Sequence, residues 1–444
     1  MEKNTDIAPV LTWTEAGEKR TARWISENRD RPPARAVVAD DAMKADTAFR
    51  LACEGCALIW RGDFQNARQL LDALARRADR KKDKRKKEPG NAAETFHRQR
   101  MARSRRAGIL GMILVEILPD GSIPLKRAPD VRQAVSGALG PVLEASGEPD
   151  GKHYDEPPDN LLGEPALISM REILGMIGAY EWRRKGIAIP CLKTRIYPHY
   201  GVFPPTRSEY VELAATAPLP AEFHRHPPSG GLPGDPGDPL VPGDKQPDPT
   251  PLAMDIGTGT GVLAALLAER GVPSILATDN DPRAVACARE NMRIAGIDDR
   301  VRVVRADLFP APESISEGVT EDVSGLPEKS SLIIFNPPWI PAKPVTRRER
   351  AVYDPKSDVL HRFLSALPNR LKPDGEAWLL ISDLAEHLGL RARGELTGAF
   401  KKAGLKVIEK TDAPPAQNRS RDPGDPLHFA RSAEIVSLWR LGLP

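Results

Sequence analysis

Four consecutive residues, Asn336-Pro337-Pro338-Trp339, follow directly on the apolar run Leu332-Ile333-Ile334-Phe335. Two prolines fix φ and remove two backbone donors, so this segment must stand rigidly where the run ends. Asn336 then offers a side-chain carbonyl, the backbone C=O of Pro337 lies alongside it, and Trp339 supplies a flat face for a planar substrate. The set suits an amide or aromatic amine nitrogen, whose conjugated lone pair makes it a poor nucleophile. Two acceptors gripping its hydrogens hold it and favour the sp³ geometry needed for attack, which is stabilisation of the transition state over the ground state. Holding that nitrogen about 3–3.5 Å from an activated methyl adds the proximity contribution. A strong general base is not required, because the proton becomes acidic on alkylation and leaves to water.

A second set of residues reads as a ligand cradle. Asp255-Ile256-Gly257-Thr258-Gly259-Thr260-Gly261 ends a short apolar run, and its glycines allow a tight turn with backbone N–H groups held against a ligand. The G-x-G-x-G spacing, with an acid immediately before it, points away from a dinucleotide. Asp279 lies 24 residues beyond Asp255, at the end of the next apolar run, where an acid can hold ribose hydroxyls. Asp255 is placed to face a cationic ligand group. Asp307 ends the run after that, with Leu308 and Phe309 beside it to flank a purine ring.

These residues must be positioned by the elements around them. Short apolar runs at Leu252–Asp255, Ile275–Thr278, Val301–Ala306, Leu332–Phe335, Ala377–Ser382 and Glu434–Trp439 read as strands. They alternate with helical patterns at Val262–Arg270, Pro282–Ala295 and Leu360–Leu371. Strand–helix alternation means a doubly wound, mostly parallel α/β sheet covered on both faces. All the acids named above, and Asn336, then fall at carboxyl ends of strands, where such sheets bind ligands.

The full chain has 444 residues and a net charge of +3, and no apolar run approaches the roughly 18–20 residues of a membrane span. Nothing at the N-terminus reads as a signal peptide, and four cysteines do not make a disulfide framework, so a cytoplasmic protein is expected. The charge is uneven. Arg76–Arg106 holds 14 Lys or Arg against four acids, a local +10 that leaves −7 on the rest. Such a segment can dock on phosphates, including those of nucleic acid, or on an acidic surface, or lie as a solvated helix end and flexible loop. Residues 218–251 contain 11 prolines and five glycines and read as a flexible insertion that holds no helix, and 310–331 reads as a surface insertion. Two domains follow: an accessory, mainly helical docking domain over 1–159 and the α/β domain over 160–444.

With these motifs in place, the sequence resembles class I S-adenosylmethionine-dependent methyltransferases of the HemK-like and N6-adenine type, which implies a seven-strand methyltransferase sheet. The resemblance implies that Asp255, Gly257, Thr258, Gly259 and Gly261 bind the methionine part of S-adenosyl-L-methionine, Asp279 the ribose, and Asp307 with Leu308 the adenine. It also implies that Asn336, Pro337, Pro338 and Trp339 form the catalytic clamp on the target nitrogen. Upstream, Gly201-Val202-Phe203-Pro204-Pro205-Thr206-Arg207-Ser208-Glu209-Tyr210 is similar to the stretch preceding the cofactor motif in glutamine methyltransferases of the HemK group, with Glu209 matching its glutamate. Trp339 stands where that group usually shows Tyr and guanine-modifying relatives show Phe. The resemblance covers roughly Ala188 to Pro444.

The implied reaction is N-methylation of a glutamine side-chain amide in a protein of the translation machinery, or of an exocyclic amine of adenine or guanine in RNA or DNA. A catalytically inactive binding module with the same fold would show damage in one of these motifs, and neither is damaged. Cys53-Glu54-Gly55-Cys56 has no second ligand pair; both cysteines lie in the apolar stretch Leu51–Trp60, read as helical, and are expected to be small buried residues. The turn Trp60-Arg61-Gly62-Asp63-Phe64 reads as structural.

Overall fold

The computed structural model describes residues 9–28, 30–80, 91–143, 161–225, 250–310, 328–416 and 418–444. The centre of the basic segment (81–90), most of the Pro/Gly-rich insertion (226–249) and most of the second insertion (311–327) lie outside the described residues. The chain divides into two compact units, Met1–Glu181 and Trp182–Pro444.

The first unit is α/β, not mainly helical as expected. Strands β1 (Val10–Glu15), β2 (Glu18–Ile25), β3 (Arg35–Ala39), β4 (Cys56–Trp60), β5 (Ile113–Ile117) and β6 (Ala166–Ser169) form one mixed sheet in the order β1-β2-β6-β5-β4-β3. Helices α1 (Ala45–Cys53), α2 (Phe64–Arg80), α3 (Ala92–Leu110), α4 (Arg132–Leu143) and α5 (Met170–Lys185) accompany it. Because β6 pairs with both β2 and β5, the boundary falls later than the expected 159/160. The stretch Leu51–Trp60 is not one helix. Gly55 takes φ +75°, a left-handed conformation that ends α1 and releases the buried strand β4. Cys53 is consequently exposed and Cys56 buried, which corrects the expectation that both are buried. Arg61 of the charged turn bonds Glu15 at 2.8 and 2.9 Å and also Glu116, tying the ends of β1 and β4 to β5. That guanidinium holds the Glu15 carboxyl down at about 2.

The second unit begins with the small ribbon β7 (Ile187–Ala188) and β8 (Arg195–Ile196), followed by α6 (Glu209–Thr216) and α7 (Ala221–Arg225). The last of these is a short helix inside the segment expected to hold none. Its main sheet contains β9 (Leu252–Ile256), β10 (Ser274–Asp279), β11 (Val301–Arg305), β12 (Ser330–Phe335), β13 (Leu371–Ser382), β14 (Lys406–Ala413) and β15 (Val436–Gly442). The order is β11-β10-β9-β12-β13-β15-β14, parallel except for β15, which runs antiparallel to both neighbours. This is the doubly wound seven-strand sheet that the alternation implied. Helices α8 (Val262–Glu269), α9 (Pro282–Ala295), α10 (Asp358–Arg370), α11 (Leu384–His387), α12 (Glu395–Lys402) and α13 (His428–Ser432) complete the unit.

The central strands β9, β10, β12 and β13 are largely apolar because both faces are covered, yet alternate side chains feed different layers. Ala253, Ile275, Leu332, Ile334, Trp378 and Leu380 pack with α6 and α8. Met254, Ile256, Leu276, Ile333, Phe335 and Leu379 pack with Phe363 and Leu364 of α10 and Phe400 of α12. Helix α9 shows how local sequence fixes an element. Asp281 caps it by accepting the Arg283 N–H at 3.0 Å, Pro282 occupies its first turn, and Gly296 closes it at φ +65°. The chain therefore leaves β10 at Asp279 and turns at once, which leaves that carboxylate at the strand end.

Candidate active site

Strands β9 and β12 lie side by side in register, with Ile334 opposite Asp255 and Phe335 opposite Ile256. The glycine turn after β9 and the Asn336 turn after β12 therefore begin as neighbours at one edge of the sheet. The sheet's connections reverse direction between these two strands, the position where doubly wound folds take ligands.

In the glycine turn, Gly257, Gly259 and Gly261 adopt φ of +63°, +58° and +83°, which side chains resist. The turn is pinned by Thr258 N–H on the Thr278 carbonyl (2.8 Å) and by Gly259 N–H on the Asp279 carboxylate (3.0 Å). Asp255 is fully buried; one carboxyl oxygen accepts from Thr258 Oγ1 (2.6 Å) and from the Ala264 N–H (3.1 Å). Its other oxygen is buried without a hydrogen-bond partner among the described residues. Burial pushes the Asp255 carboxyl up to about 7. An orphaned acid oxygen beneath a turn of left-handed glycines fits a ligand that brings a cationic group. A Cβ at Gly259 would meet no atom within 4 Å, so the turn faces open space there.

Asp279 is half-buried and accepts the Asp281 N–H at 2.9 Å as well as that of Gly259, and burial raises its carboxyl. A carboxylate has about four acceptor sites, so capacity remains for ribose hydroxyls. Asp307 is exposed and bonds Arg362 Nη1 at 2.8 Å. Leu308 holds φ +66°, and its carbonyl accepts Thr278 Oγ1 at 2.7 Å, which fixes this loop to β10. Phe309 is taken up by the core instead of flanking a ligand, stacking on Phe363 at 5.9 Å.

The Asn336 turn is more tightly engaged than its sequence indicates. Trp339 Nε1–H donates to Asn336 Oδ1 at 2.8 Å and to the Leu380 carbonyl at 3.2 Å. The guanidinium of Arg207 lies over the Trp339 ring, 4.5 Å from its centroid. Arg207 is held by Glu209 and, at 3.0 Å, by Glu434, which also accepts Ser382 Oγ at 2.7 Å. The ring is partly buried and packs against apolar layers on both sides of the sheet. The face expected to lie open for a planar substrate is therefore covered on the Arg207 side. Downstream, Ile340 exchanges backbone bonds with Val352 (3.0 Å) and Asp354 (2.9 Å), which anchors the turn's exit.

The upstream stretch thus reaches the site through Arg207 and Glu209. Gly201, at φ +80°, fits beside Arg283, where a Cβ would stand 2.2 Å from a guanidinium nitrogen. Glu434, Ser382 and Arg283 are site residues that sequence reasoning missed. Each is a single polar residue in no motif; Ser382 and Glu434 are brought together where β13 pairs with β15, and Arg283 is carried by α9. Among the described residues no group of three or more His, Cys, Asp or Glu is placed to hold a metal ion, and no helix is long and apolar enough to cross a membrane.

Residues 245–411 match the family described as the methyltransferase small domain. A putative protein N5-glutamine methyltransferase of Methanocaldococcus jannaschii is 29% identical over 160 residues, 35% of this chain and 70% of that one. A release factor glutamine methyltransferase of Cereibacter sphaeroides is 38% identical over 173 residues, 36% of this chain and 55% of that one. A tRNA1(Val) (adenine(37)-N6)-methyltransferase of Bacteroides thetaiotaomicron is 30% identical over 168 residues, 36% and 64% respectively. The chain thus spans 55–70% of the length of these three curated relatives, and the first unit lies outside the matched family segment.

Proposed function

We propose that this chain, whose residues 245–411 form an S-adenosylmethionine-dependent methyltransferase domain, methylates a glutamine side-chain amide in a protein of the translation machinery, in the cytoplasm. The observation that carries the reading is the pairing of β9 with β12, which sets the Asn336-Pro337-Pro338 turn beside the glycine turn. Asp255 and the turn Gly257–Gly261 would hold the methionine part of S-adenosyl-L-methionine, Asp279 the ribose, and Asp307 with Leu308 the adenine. When bound, that molecule would supply an electrophilic methyl group, its bond to sulfur breaking as the bond to nitrogen forms and the sulfonium leaving as a neutral thioether. Asn336 Oδ1 and the Pro337 carbonyl accept the two N–H bonds of the target amide and draw its nitrogen out of conjugation as the C–N bond forms. The proton released from nitrogen passes to water.

The state of Trp339 favours the amide. With one ring face under Arg207 and its N–H edge bonded to Asn336 and Leu380, that face and that edge are not open to sandwich a nucleobase. The second reading, an exocyclic amine of adenine or guanine in RNA or DNA, draws on the five arginines of α3, of which Arg105 is exposed, and on the exposed Arg76. That surface predicts steeply salt-dependent binding if nucleic acid is the substrate.

The test incubates the full chain and methyl-labelled S-adenosylmethionine with extract from cells lacking the protein, followed by protease or nuclease. Protease-sensitive label supports the amide; nuclease-sensitive label replaces it with the base amine. Cofactor binding without label in either fraction would overturn both. An Asn336→Ala chain should bind the cofactor and transfer nothing.

A further inference from the structure

Trp339 occupies the aromatic position of the clamp, but its contacts are those of a support. Its indole N–H is a donor only, so the Asn336 atom it meets at 2.8 Å must be the carbonyl oxygen and not the amide nitrogen. A half-buried Asn side chain otherwise has two amide orientations of similar shape, and only one presents an acceptor beside the Pro337 carbonyl. The oxygen has two lone pairs; the indole takes one and leaves the other.

The indole is itself held along its edge and on one face. Its N–H is shared with the Leu380 carbonyl of β13 at 3.2 Å, which fixes the ring edge to the sheet. Arg207 covers one face, and two carboxylates in turn fix Arg207: Glu209 and Glu434 have side chains only 3% and 4% exposed. A cation over an indole is attracted to the ring face and steadies it. The same Glu434 accepts Ser382 Oγ, so this support is anchored to the end of β13, beside Leu380.

We infer that Trp339 is a positioning residue, not a stacking platform: its indole N–H, steadied by Arg207, locks the Asn336 amide with its carbonyl toward the target nitrogen. The inference rests on the proposed role of Asn336. It makes Trp339 functionally distinct from a Phe or Tyr at this place, since neither brings an indole N–H. Losing one oriented hydrogen bond corresponds to about tenfold in rate.

The test uses the full chain with Phe at position 339, which keeps an aromatic ring. Turnover of methyl transfer should fall about tenfold while S-adenosylmethionine affinity, read by calorimetry, stays within about twofold. Independently of substrate, the Trp339 indole 15N–1H resonance, assigned by its loss in Trp339→Phe, should shift in Asn336→Ala and exchange faster with solvent. Unchanged turnover in Trp339→Phe, an equal loss of cofactor affinity, or an indole resonance indifferent to Asn336→Ala would each overturn the inference. Absence of any transfer by the unaltered chain would overturn the parent reading, a failure distinguished by an indole resonance that still responds to Asn336.

Discussion

The backbone N–H of Gly259 donates to the Asp279 carboxylate at 3.0 Å, so the turn after β9 and the acid after β10 are one assembly. The side chain expected to take ribose hydroxyls also shapes the turn expected to take the methionine part. Asp279→Ala should therefore weaken S-adenosylmethionine binding by more than the loss of a hydroxyl contact, at least tenfold, with Asp279→Asn intermediate. Calorimetric titration of both variants decides it; unaltered affinity in the Ala variant would remove Asp279 from the site.

Asp255 predicts a pH dependence whose sign is fixed by its raised carboxyl. With burial holding it at about 7 against an ordinary 3.8, the folded chain keeps a proton that the unfolded chain releases. The stability this lends is complete below about pH 4 and is lost as pH rises through about 7. The ligand-free protein should melt lower at pH 8 than at pH 6, and Asp255→Asn should flatten that difference. A cationic ligand group favours the ionised form, so the rise in melting temperature on adding S-adenosylmethionine should grow from pH 6 to pH 8. A ligand shift independent of pH would place the cation elsewhere.

Arg207 should behave as a buried counter-ion. Arg207→Ala leaves Glu209 and Glu434 facing each other without compensation, which costs about 3–5 kcal/mol and lowers the melting temperature by roughly 10 °C. Arg207→Met combined with Glu209→Gln and Glu434→Gln should recover most of that loss. Thermal unfolding followed by circular dichroism measures both, and failure of the triple variant to recover would mean that packing dominates over charge.

Gly261 offers a check on the turn itself. At φ +83°, a Cβ there would stand 2.6 Å from Met292 Cε and 3.3 Å from Ala288 Cβ. The backbone conformation alone costs an alanine about 1–2 kcal/mol. Gly261→Ala should lose that much stability by denaturant titration and bind S-adenosylmethionine more weakly, whereas wild-type behaviour would show that the turn relaxes.

The second sheet was legible because its strands are buried on both faces and carry their acids and Asn336 at their ends. Strand β14 escaped notice because it is exposed along almost its whole length and alternates charges, as in Glu409-Lys410. Strand β2 is similarly polar, β1 is short and buries only Leu11 and Trp13, and β4 was hidden by running on from α1 with only Glu54 and Gly55 between them. In the site, Asp255, Asp279 and Asn336 carried their own local motifs. The Arg207–Glu434 contact did not, since 227 residues separate the partners and only the sheet brings them together.

The position of β15 between β13 and β14 sets an order of events during synthesis. Strand β14 leaves the ribosome first and has no neighbour to pair with until β15 follows. Glu434 lies two residues before β15, so the second carboxylate on Arg207 arrives at the same moment. At about 5–20 residues per second, a nascent chain that already holds the turn after β9 still waits for the support of Trp339. Arg207 thus gains its second carboxylate only with the last strand of the sheet in chain order.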